Sequence, residues 1–160
     1  MGGVKHCNTI VYPLNISGFE VDPQCDIDSL IGDNCDSADI IIIRLGENVK
    51  NSKIFKENFQ RLITKCKNIT ENVIITGMFW RKPEVEKILF NHAKDNNLQF
   101  VPLNWIPVIT EAYPQKGDTL YNVEGDPYVI TKKFIISHPN DRGMEEIAKA
   151  IFRSIQSTQQ

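Results

Sequence analysis

At 160 residues the chain has the length of one domain, enough to bury roughly two thirds of the surface its unfolded form exposes. Eighteen Lys and Arg against 20 Asp and Glu give a formal net charge of -2, so there is no basic excess to neutralise a phosphate backbone, and sequence-independent nucleic-acid binding is disfavoured. With 41% hydrophobic residues and so little net charge, disorder is excluded as well.

The N-terminal stretch Met1 to Cys7 has no apolar signal core, and His6 stands where a myristoylation motif carries Ser or Thr. Thr9-Ile10-Val11-Tyr12-Pro13-Leu14-Asn15 is a β-branched and aromatic run that predicts a strand, with Pro13 placing it at an edge or a strand end. From Ser17 to Ser37 the chain is rich in Asp, Gly, Asn and Cys and reads as loop, with one turn of helix at Ile27 to Ile31. Asp39 to Leu45 contains Ile40-Ile41-Ile42-Ile43 without alternation, which predicts a central parallel strand buried on both faces. That run is the longest purely apolar one in the chain, and a membrane-spanning helix needs about 20 such residues. With neither signal nor span, the default expectation is a cytoplasmic protein without a membrane partner.

Asn51 or Ser52 is expected to cap a helix whose apolar residues Ile54, Phe55, Phe59, Leu62, Ile63 and Cys66 recur at helical spacing, with lysines in its last turn. Asn72 to Phe79 predicts a second buried strand, and Pro83 opens a helix running from about Glu84 to Asp95. Leu98 to Leu103 reads as a third core strand. Residues 107 to 133 are irregular, with turn signals at Lys116-Gly117-Asp118 and Glu124-Gly125-Asp126-Pro127 and a hairpin expected around Tyr128 to Thr131. Asp141 to Ser157 is a helix with Met144, Ile147, Ala148, Ile151, Phe152 and Ile155 on one face. Cys7, Cys25, Cys35 and Cys66 contain no Cys-x-x-Cys pair, so neither a zinc site nor a thioredoxin-like motif is supported, and no metal is expected. Cys25 and Cys35 could pair if the protein is exported.

Strands alternating with helices predict an α/β layer fold with a parallel sheet and helices on both faces, as one domain over residues 1–160. Right-handed crossovers bring the C-terminal ends of such strands to one edge, where these folds bind ligands. Two segments fall there. Gly46-Glu47-Asn48 follows the isoleucine strand: Gly46 permits a sharp turn, and the Asn48 amide can donate to a developing oxyanion, an effect worth roughly 3 kcal/mol for one donor. Ser137-His138-Pro139-Asn140-Asp141 precedes the last helix; Pro139 keeps His138 extended, and Asn140 or Asp141 caps the helix behind it.

Together these segments resemble the SGNH or GDSL family of esterases and acyl hydrolases. Leu45-Gly46-Glu47-Asn48 is similar to its third block, His138-Pro139-Asn140-Asp141-x-Gly143-Met144 to its fifth, and Asn15-Ile16-Ser17-Gly18 to its second. The resemblance implies a three-layer, flavodoxin-like parallel sheet and hydrolysis of an acyl ester, acetyl above all, on a small molecule or a carbohydrate, without a cofactor. His138 would be the general base, and Gly18 and Asn48 the oxyanion donors. Trp80, Arg81, Asn104 and Trp105 would line the substrate edge.

The chain departs from the family pattern twice. Ile135 stands where the fifth block has Asp, so His138 would act in a dyad or be oriented by another group, such as a backbone carbonyl or Asp126. The first block, a strand followed by Gly-Asp-Ser with the nucleophile, has no counterpart, which predicts a missing first strand and a truncated N-terminus. Ser17 is the serine nearest the edge in chain order, in the second-block position. The alternative is a binding module of the same fold without catalysis. The oligomeric state is left open.

Overall fold

The computed structural model describes residues 16–31, 37–80, 82–121 and 124–158. The expected strand Thr9 to Asn15, Arg81 and Cys35 lie outside them.

Three parallel strands, β1 (Ile41–Ile43), β2 (Val73–Thr76) and β3 (Gln99–Val101), form a sheet in the order β1-β2-β3, with Ile42 opposite Ile74 and Ile75 opposite Phe100. The crossovers are α3 (Ser52–Ile69) and α4 (Pro83–Asp95). Asn51 caps α3, its side chain accepting from the Ile54 N–H at 3.1 Å, and Lys67 faces the negative end of the helix dipole. Pro83 occupies the first turn of α4, where a missing N–H costs nothing.

Strand pleating divides the apolar side chains between two cores. Ile43, Val73 and Ile75 pack with Phe55, Phe59, Leu62 and Ile63 of α3 and Val85, Ile88 and Leu89 of α4. On the opposite face Ile74 and Val101 meet Ile147, Ile151 and Ile155 of α6 (Asp141–Thr158). The chain is therefore a mixed α/β structure with helices on both faces of a parallel sheet.

Four expectations need correction. β1 is not buried on both faces: Ile42 is 42% exposed, since among the described residues α6 lies over β3 and the two 3-10 turns at Ile106–Val108 and Thr110–Ala112 and does not reach β1. The stretch after Ser17 is not all loop, since Ser17–Val21 forms a short helix, α1, ahead of the expected turn at α2 (Ile27–Ile31). Phe19 drives this, fully buried and edge-on to Phe55 with ring centroids 5.9 Å apart.

The apolar face of α6 is narrower than its periodicity suggests. Ile147, Ile151 and Ile155 form the seam, whereas Met144 and Phe152 are exposed on the flanking row. Finally, the hairpin is β4 (Thr119–Tyr121) against β5 (Pro127–Val129), starting earlier than expected. Its turn signals hold, with Gly117 and Gly125 both at positive φ. A short helix, α5 (Lys133–Ile136), connects the hairpin to the His138 segment.

Candidate functional site

Parallel pairing puts the segments after β1, β2 and β3 on one edge of the sheet. The first turns at Gly46, which is buried with φ +132°. A Cβ there would fall inside the Met78 side chain, so both the backbone conformation and the space require glycine. The turn aims three donors at one acceptor, Glu20 of α1. The Gly46 N–H and the Asn48 N–H (3.3 Å) donate to its Oε1, and Asn48 Nδ2 donates to Oε2 at 2.8 Å. Glu20 is 3% exposed. A carboxyl group so buried needs hydrogen-bond partners, and this turn supplies three donors.

Sequence reasoning missed Glu20. It lies in a stretch read as loop, and nothing local distinguishes an acid that pairs with residues 26 and 28 positions away. The anchoring of Phe19 in the core fixes where Glu20 points.

Gly18 and Ser17 are exposed residues of the same short helix. The Gly18 carbonyl accepts from the Asp22 N–H, and a Cβ at Gly18 would meet only Leu30 at an ordinary 3.6 Å. Unlike Gly46, Gly18 is not demanded by space. The structure thus joins Asn48 and Gly46 to the Gly18 helix, through Glu20.

Glu47 ties this corner to the next segment. Its carboxylate pairs with Arg44 at 3.1 Å and accepts from the Phe79 N–H at 3.5 Å, while its main-chain oxygen accepts from Lys82 Nζ at 2.6 Å. After Phe79 comes Trp80, whose Nε1–H donates to the Ser137 carbonyl at 2.6 Å and whose ring lies edge to face with His138, centroids 4.9 Å apart at 84°. The third segment carries Asn104 and Trp105 on the surface, with the Trp105 Nε1–H folded back onto the Pro102 carbonyl at 3.0 Å.

His138 is exposed, and its main-chain N–H donates to the Ile135 carbonyl at 3.1 Å. Ile135 therefore holds the backbone of His138 and brings no acid to its ring. The residues that follow have structural duties. Asn140 Oδ1 caps α6 by accepting from the Gly143 N–H at 2.9 Å, and its Nδ2 donates to the Glu111 carbonyl at 2.9 Å. Gly143 is buried so close to the Ala112 carbonyl that a Cβ would lie 2.5 Å from its oxygen. Asp126 is exposed in the turn before β5.

Two surface depressions are present, the second beside the His138 segment. One of about 450 Å³ sits between α3 and α4 beside His92, and one of about 300 Å³ is lined by Asp118, Asn140 and Arg142. His92 packs edge-on to Phe59, ring centroids 5.3 Å apart, which assigns it to packing. Cys25 carries a free thiol whose pKa is raised by burial and by the Asp22 carboxylate. Among the described residues no helix is long and apolar enough to cross a membrane, and no three His, Cys, Asp or Glu side chains gather as a metal site requires. No protein-family model matches the chain, and neither a curated protein nor a solved structure gives a significant match.

Proposed function

We propose that this chain is an SGNH-like domain that hydrolyses acyl esters, acetyl esters above all, on a small-molecule or carbohydrate substrate. The observation that carries this reading is the division of labour in the His138 segment. Asn140 caps α6 and Gly143 lets the helix approach Ala112 closely, and together they hold His138 exposed at the sheet edge, against Trp80. The sheet order β1-β2-β3 agrees with the last three strands of the flavodoxin-like order.

In this reading the imidazole of His138 takes the proton of a serine hydroxyl, a nucleophile that no first-block motif identifies in this sequence, as that oxygen attacks the acyl carbonyl. The departing alcohol takes up the proton, and water then releases the acid. Asn48 would serve the oxyanion through the second N–H of its amide, the first being held by Glu20. Hydrolysis of p-nitrophenyl acetate, lost in His138→Ala, is the expected result. Equal rates in the two proteins would remove the assignment.

One observation favours a second reading, a non-catalytic binding module. The Glu20 carboxylate already occupies the donors of the Gly46 turn. With those donors engaged, a single amide N–H of Asn48 is left for an oxyanion. A serine-reactive fluorophosphonate separates the two readings. Covalent capture, mapped to a peptide, identifies the nucleophile and discards the inert module.

A further inference from the structure

An imidazole on an exposed loop must be aimed before it can act as a base. Rotation about its χ2 is broad, so a main-chain anchor does not by itself set the direction of the ring. The His138 backbone is held from two sides: the Ile135 carbonyl accepts its N–H, and Asn140 clamps the following residues to Glu111 and Ala112. Neither contact reaches the ring. Trp80 makes both kinds of contact at once, through a short hydrogen bond from Nε1 to the carbonyl just before His138 and through the edge-to-face packing of indole against imidazole.

Trp80 is well placed for this. It is half-buried, packed against the core formed by Ile74, Phe79 and Leu103, and it follows β2 directly, in the segment that Glu47 ties to the Asn48 turn. The indole therefore transmits the position of the sheet edge to the imidazole.

We infer that Trp80 is a positioning residue of His138, holding the loop through its N–H and the ring through their edge-to-face packing. The inference rests on the proposed role of His138 as a base. A misplacement of about 1 Å at a reacting group costs on the order of 10²-fold in rate, which sets the expected size of the effect.

The test is steady-state hydrolysis of p-nitrophenyl acetate by the full chain, its His138→Ala, Trp80→Ala and Trp80→Phe variants, with the His138 ring proton resonances recorded in parallel. Trp80→Ala is expected to lower kcat on the order of 10²-fold with KM within about twofold of wild type, and to abolish the ring-current shift of the His138 protons. Trp80→Phe keeps a ring and loses the N–H, so it should fall between the two in both readouts. Should Trp80→Ala fail to fold, Trp80→Phe decides alone.

An active wild type, an inactive His138→Ala and unchanged kcat in the Trp80 variants would overturn the inference while leaving the proposed activity standing. A loss confined to KM would make Trp80 a substrate contact and equally overturn it. Equal rates for wild type and His138→Ala would instead remove the base, and the positioning role with it.

Discussion

Two corners of the same sheet edge are built in opposite ways. At the end of β1, the Gly46 and Asn48 donors close on the Glu20 carboxylate, which is buried and saturated from within the chain. At the end of β2, Trp80 leans out to hold a loop whose histidine is exposed to solvent. The first corner gains its order from internal pairing, and the second leaves the His138 side chain exposed at the surface. One strand edge can thus be closed by internal pairing at one position and open to solvent at another.

The largest expected effect that would break this contrast is Gly46→Ala. The new Cβ meets Met78 at a backbone conformation that L residues rarely adopt, so a loss of about 3 kcal/mol or more is expected in urea unfolding. Glu20→Ala comes next. It strands the buried Gly46 N–H, while exposed Asn48 can turn to water, giving about 2 kcal/mol, and Glu20→Gln, which keeps one acceptor oxygen, should lose less. If both Glu20 variants are as stable as wild type, the closed corner is not a structural pin.

On the His138 side, Asn140→Ala removes the α6 cap and is expected to cost about 1 kcal/mol. Its effect on the His138 ring resonances should be smaller than that of Trp80→Ala. The reverse ranking would transfer the positioning role to the cap.

The smallest effect lies on the outer surface of α6. Hydrogen bonds from Lys149 and then Arg142 lower the pKa of Glu145, so its contribution is present above the unfolded-state pKa and is lost as the pH falls through the folded one. Hydrogen bonds with Glu145 and Glu146 raise that of Lys149, whose contribution is present below the unfolded-state pKa and is lost as the pH rises through the folded one. These groups are solvent-exposed, so Glu145→Gln should flatten the acid limb of a thermal-melt pH series only slightly, and salt should erase the difference.

Much of the framework was legible from local signals. Asn51 and Asn140 as caps, Pro83 in the first turn of α4, and the apolar runs of β1 to β3 all act through contacts with near neighbours or through simple burial. Gly46 could be placed at a strand edge because parallel crossovers leave no other side for the loop after β1, whereas His138, between α5 and α6, reaches that edge only through Trp80.

What the sequence determined by itself was therefore the alternation of the three core strands with their long helices and the α/β class, since propensity, periodicity and chain connectivity are properties of neighbouring residues. Tertiary structure alone decided that β1 is half-exposed at Ile42, that Met144 and Phe152 fall outside the α6 seam, that Glu20 takes the Asn48 amide, and that Trp80 meets His138. The last two contacts join residues 28 and 58 positions apart, 58 being the interval from Trp80 to His138. Their hydrogen-bonding and burial energies are realised only once the core has set the elements side by side, so no local pattern carries them.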